Sequence, residues 1–225
     1  MELTRRRHRR SRPLWRPLVI AFAVLVMIFL VAPLFIVVPI SFSSARYLTF
    51  PPPGLSLQWY ERYLDDYAWI SATIISLKVG VGATLLSTLL GTLVAFGVVR
   101  GRFPGRAAVE RLVAAPIIVP NIIIAVAIYG VFSQLQLIGE WAGIMLAHTV
   151  IAIPFVSLVV SARLRTVDPA QELAAMGLGA SRLTAIRRIT LPQIRPAIVS
   201  AAFLAFITSF DELVLAMFIS GANMT

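Results

Sequence analysis

Two carboxylates on adjacent residues, Asp211 and Glu212, lie inside an otherwise apolar run, and Asn121 stands with Pro116 and Pro120 inside another. In lipid an acidic side chain is costly unless it faces protein or water, so its default reading is a path for a polar or cationic solute. The backbone carbonyls freed around Pro116, Pro120 and Asn121 point the same way, because irregular backbone at membrane depth is tolerated only where protein buries it or it lines a cavity. The plainer reading of all three is a structural contact between helices. Successive helix positions point about 100° apart, so one of Asp211 and Glu212 is expected to face the path and the other a subunit contact. The same divergence, with no second placed carboxylate, argues against an intramembrane hydrolase. His148 reads as a hydrogen-bonded core residue and Lys78 as a snorkelling one. With no cysteine and only two histidines, thiolate chemistry is excluded and a histidine metal site is not expected. No GxxxxGK[ST] loop occurs, so the chain carries no phosphate-cradling ATPase site of its own, and no cofactor is implied.

The elements holding these residues must be membrane helices. Hydrophobic residues make up 59% and charged residues 13% of the chain, with mean hydropathy +0.88, which leaves too little polar surface for a soluble globule. The net charge of +10 does not argue for nucleic acid. Seven of the basic residues (Arg5, Arg6, Arg7, Arg9, Arg10, Arg12 and Arg16) precede the first apolar run, where they set topology and attract anionic lipid.

Crossing a hydrocarbon core of about 30 Å takes roughly 20 apolar residues in a helix. Five segments qualify: 18–39, 69–99, 112–132, 141–162 and 197–220. The first exceeds a signal-peptide core of about 7 to 15 residues and lacks a clear cleavage site, so it is read as a retained span. A polar, proline-rich connection with Asp65 and Asp66 follows it. Arginines alternate across the loops. The arm of residues 1–17, the loop with Arg100, Arg102, Arg106 and Arg111, and the loop 163–195 hold the excess, whereas the opposite side has only Arg46 and Arg62. The N-terminus and loop 163–195 are therefore expected in the cytoplasm. Residues 18–225 form a single membrane domain in this reading, and an odd number of spans leaves Thr225 outside.

Loop 163–195 contains a capped two-helix insert, residues 168–192. Asp168 can accept from free amides at a helix start, Pro169 suits the first helical position, and Gln171 can bond back as in a capping box. Gly177 and Gly179 end that helix. Ser181 caps a second one, with Leu183 and Ile186 sharing a face, until Pro192 interrupts it. A loop of about thirty residues with its own helices is usually functional, and one on the arginine-rich face is suited to pass force from a partner bound there.

The insert resembles the "EAA" loop of permease subunits in bacterial ABC importers, whose pattern is Glu-Ala-Ala, then Gly, then Ile-x-Leu-Pro. Ala174, Ala175, Gly179, Ile189, Leu191 and Pro192 match it at the family's spacing. Leu173 occupies the motif glutamate's position, with Glu172 one residue early, and Gly177 stands where an Asp is common. Residues 69–220 share the resemblance, and AHTVIAIPFVSLVVSARL and SFDELVLAMFISG look most like the spermidine/putrescine branch. It implies an all-α polytopic bundle of the type I importer kind, in a bacterial inner membrane. Members usually have six spans, so this chain is expected to hold five and to lack the sixth. The implied partners are two ATP-binding cassette ATPase subunits, a second permease subunit, an extracytoplasmic substrate-binding protein and membrane lipid. The loop, including Glu172, would dock on the ATPase, and a pathway at Asp211, Glu212 and Asn121 would suit a polyamine, whose ammonium groups need counter-charges when desolvated. The rival reading is a proton-coupled secondary carrier using Asp211 and Glu212; a carrier would respond to a proton gradient alone.

Overall fold

The computed structural model describes residues 15–221, which divide after Trp69 into two compact units. Most of the arginine arm and the last four residues of the chain lie outside the described residues. The first unit opens with α1 (Trp15–Ser41), 27 residues that are uncharged after Arg16, none of them buried. It therefore begins inside the segment read as the arm. The proline-rich connection holds one element that sequence patterning missed, α2 (Gln58–Asp65). At 100° per residue, Trp59, Tyr60, Tyr63 and Leu64 share one half of this helix and Gln58, Glu61, Arg62 and Asp65 the other. Trp59 and Tyr60 bond to Ser43 O and Ser41 Oγ, at 3.0 and 2.8 Å.

The long helix α3 (Tyr67–Arg100) follows, its start capped by the Asp66 carboxylate accepting from Ala68 N–H at 2.9 Å. Residues 112–132, expected as one span, are instead two helices, α4 (Arg106–Ile118) and α5 (Asn121–Gln134), bent by 109°. Val119 is pushed into extended backbone (φ −78°, ψ 130°) by the proline that follows it, and Pro120 offers no N–H to carry the helix on. Then come α6 (Trp141–Thr166), α7 (Pro169–Gly177) and α8 (Arg182–Ala185). A π-helical turn (Ile186–Thr190) joins α8 to α9 (Leu191–Phe210), and α10 (Val214–Ile219) ends the described chain. Among the described residues four helices are long and apolar enough to cross a membrane, or five if the bent pair is one span.

Half of α6's residues are buried, which makes it the axis of the second unit. One core cluster joins Val156, Val160 and Leu164 of α6 to Ala95 of α3 and to Ile194, Ala201 and Ala205 of α9. The other joins Ile144, Ala147 and Ile151 to Val79, Ala125, Leu215 and Ile219. The stripe Ser87, Gly91 and Ala95 permits a close crossing. A Cβ built on Gly91 would stand 2.7 Å from Val156 Cβ.

Two departures from the sequence reading bear on function. Pro192 does not interrupt the second insert helix, because the π turn before it widens the spiral and keeps Arg182–Phe210 continuous. Residues 197–220 are not one helix: α9 stops at Phe210, and Asp211, Glu212 and Leu213 form a break before α10.

Candidate functional site

The insert is built by local capping. Asp168 accepts from Ala170 N–H at 2.9 Å, and Ser181 Oγ accepts from Thr184 N–H at 3.2 Å. Leu178 caps α7, and Gly179 reverses the chain at φ +91°, a backbone state that glycine reaches at little cost. Gln171 does not close a capping box: its Oε1 accepts from Gln193 Nε2 at 2.8 Å, tying α7 to α9. Ala174 and Gly179 are exposed, Ala175 and Ile189 half-buried, and Leu191 and Pro192 lie on the surface. Leu173, Leu178 and Leu183 are 65%, 91% and 74% exposed, three open apolar side chains on a loop that also carries the exposed Arg182 and Arg187.

Glu172 differs from its neighbours. It is the one buried residue of α7, its Oε1 accepting from Thr190 Oγ1 at 2.6 Å and lying 3.4 Å from Arg100 Nε. Arg100 and Thr190 were not singled out from sequence. The available signal was an arginine that ends a long apolar helix and a hydroxyl between Ile189 and Leu191.

At the other end of α9, the helix break brings two of the three pathway candidates together. Asn121 Nδ2 donates to Glu212 Oε2 at 2.6 Å, while Glu212 Oε1 accepts from Leu215 N–H at 3.0 Å. One carboxylate thus holds the first residue of α5 and the first turn of α10. Asp211, the residue after α9, is exposed, and no side-chain bond joins it to the other described residues. The two carboxylates part because the helix ends, rather than by a 100° step along it. Glu212 borders a cavity of about 330 Å³ whose other polar groups include Ser76, His148 and Ser209, between apolar walls such as Ile75, Val79 and Ile144. His148, also missed as a cavity residue, is buried and shares a 2.9 Å hydrogen bond between its Nδ1 and Ser209 Oγ. Among the described residues no cluster of three or more His, Cys, Asp or Glu could hold a metal ion.

Residues 87–224 match the family described as "Binding-protein-dependent transport system inner membrane component". The chain is 38% identical over 218 residues to the "Putrescine transport system permease protein PotI" of Escherichia coli (strain K12), covering 94% of this chain and 76% of that one. It is 35% identical over 205 residues to the "Spermidine/putrescine transport system permease protein PotC" of Haemophilus influenzae, covering 90% and 79%. Its fold matches a chain from the crystal structure of a bacterial ABC transporter involved in the import of the acidic polysaccharide alginate, with TM-score 0.71 and 18% identity over 95% of this chain and 78% of that one.

Proposed function

This chain belongs to the family of binding-protein-dependent transport system inner membrane components, and on that premise we propose that it forms half of a polyamine pathway driven through loop 163–195. It is a multi-pass inner-membrane permease subunit of an ABC importer, and ATP hydrolysis belongs to a separate subunit. Such a permease works with an ATPase, a substrate-binding protein and a second permease. The finer proposal is two ATP-binding cassette subunits on the face that holds the N-terminus, and a binding protein on the other. Family membership does not favour the proton-coupled carrier.

The observation that carries the coupling proposal is the open exposure of Leu173, Leu178 and Leu183 on a capped, arginine-bearing loop. Ala174, Ala175 and Gly179 add little bulk and let a partner approach closely, and Ile189, Leu191 and Pro192 continue the loop into α9. The polyamine proposal rests on the relatives' names and on Glu212, a carboxylate beside an apolar cavity. An alkyl diamine wants that pairing, with counter-charge for its ammonium and apolar contact for its methylenes. Asn121 fixes Glu212, and exposed Asp211 offers a second charge at the rim.

The test is co-purification of the tagged chain, followed by putrescine uptake in proteoliposomes. Gly179→Trp adds bulk at a left-handed position, whereas Gly177→Trp adds it where the backbone is ordinary; a Cβ on either meets nothing within 4 Å. Both are expected to insert normally and to lose ATPase recovery and coupled uptake. Retained coupled uptake in Gly177→Trp and Gly179→Trp would overturn the docking role.

A further inference from the structure

We propose that Arg100, Glu172 and Thr190 form a buried strut carrying movement of α7 into the inner ends of α3 and α9, which makes Arg100 a positioning residue for coupling. The inference rests on the coupling-loop reading above.

The geometry converges on one oxygen. Glu172 Oε1 receives the Thr190 hydroxyl at 2.6 Å and faces Arg100 Nε at 3.4 Å, with the Arg100 and Glu172 side chains only 13% and 11% exposed. The guanidinium also donates from Nη2 to Val167 O at 2.8 Å, one residue before the Asp168 cap. Arg100 therefore grips the α6–α7 junction twice, through its backbone and through the glutamate. Thr190 is fully buried at the end of the π turn, and its hydroxyl serves another element rather than its own helix. A displacement of α7 cannot spare these contacts. It must move the last residue of α3 and the first turn of α9 with it, or leave a buried charge unpaired.

Both connected helices reach the cavity at their far ends. Ser76 and Val79 of α3 line it, and Ser209 of α9 lines it while bonded to His148. A rise of 1.5 Å per residue puts Ser76 and Arg100 about 36 Å apart along one helix. Contiguous packed elements of this sort carry coupling between distant sites. Stability alone is a poor account of the cluster, because replacing a buried ion pair by well-packed apolar residues is often neutral or stabilising. The motif departure fits as well: the glutamate that would face outward is Leu173, and the acid one residue earlier is turned into the protein.

The experiment uses the assembled importer in proteoliposomes, with putrescine as the solute and the ATP hydrolysed per putrescine as the measure. Glu172→Gln, Arg100→Lys and Thr190→Val are compared with Gly177→Trp. A second readout needs no solute. The chain has no cysteine, so spin labels at Leu77→Cys, next to Ser76 of α3, and at Leu213→Cys report on the cavity when nucleotide is trapped in the ATPase. The expected result is full assembly, with the ATP cost per solute raised about fivefold or more in Glu172→Gln and less in Thr190→Val, and a nucleotide-driven label shift that is lost in both. An unchanged ratio and an unchanged label shift in all three, beside an uncoupled Gly177→Trp, would overturn the strut and leave the docking loop standing. Coupled uptake in Gly177→Trp and in Gly179→Trp alike would remove the docking reading and the strut with it. Failed assembly in all three, Thr190→Val included, would make the cluster a folding element and overturn the inference.

Discussion

The helix that carries both regions of interest is disturbed twice, and the two disturbances resolve in opposite ways. Near its N-terminal end Pro192 removes an N–H and crowds the preceding turn, yet the helix runs on from Arg182 to Phe210. The π turn absorbs the proline: Leu191 N–H reaches back five residues to Ile186 O, which leaves the wider spiral the ring needs. At its C-terminal end no proline occurs, yet the helix stops at Phe210. There Glu212 supplies an acceptor for the amide of Leu215 and binds Asn121 of another helix as well. What decides a break is whether the backbone groups freed by it find partners, and a carboxylate placed by tertiary contact can outweigh a proline.

The comparison predicts unequal responses to substitution. The largest effect is expected at the C-terminal end. Glu212→Gln should lower putrescine uptake about tenfold, the equivalent of one charge-assisted hydrogen bond, and Glu212→Ala should also cost about 1 kcal/mol of stability by freeing the α10 amide. Asp211→Asn, which loses no bond within the described residues, should lower uptake less. Equal losses in uptake assays of Glu212→Gln and Asp211→Asn would put both carboxylates on the path and remove the distinction drawn from the break. Gly91→Leu is next. Its Cβ would meet Val156 Cβ at 2.7 Å, so thermal unfolding in detergent should show a loss of about 1–3 kcal/mol from overpacking between α3 and α6. The smallest effect is expected at the N-terminal end. An interior proline left unaccommodated costs about 3 kcal/mol, so Pro192→Ala would stabilise strongly if the proline alone mattered. With the π turn in place, its thermal unfolding should stay within about 0.5 kcal/mol of the parent.

Legibility from sequence followed the range of the interactions. Asp168, Ser181 and Gly179 act within a few residues of themselves, and the caps and the left-handed glycine stand where those residue types imply. Long apolar runs likewise yielded α3 and α6 to within a few residues. The proline signal at Pro120 was visible, but not the 109° turn it produces. Partners far apart in sequence were not visible at all. Asn121 and Glu212 are 91 positions apart, and Arg100 binds Val167 across 67. Nothing local to Phe210 announces that its helix ends, because the group that makes ending tolerable belongs to the next two residues and to α5. Gln171 shows the same limit, since a nearby capping bond gave way to Gln193 of α9.

The position of Glu212 has a kinetic consequence. Its carboxylate lies against the first residue of α5 and the first turn of α10, and helix starts carry partial positive charge. An ammonium group arriving on the proposed path would meet an anion already partly matched by its own protein. Such a group lowers the barrier for a passing cation without holding it in a deep well. Residence there would be short, and the affinity needed to gather a scarce solute would fall to the binding protein, leaving the permease to release what it receives.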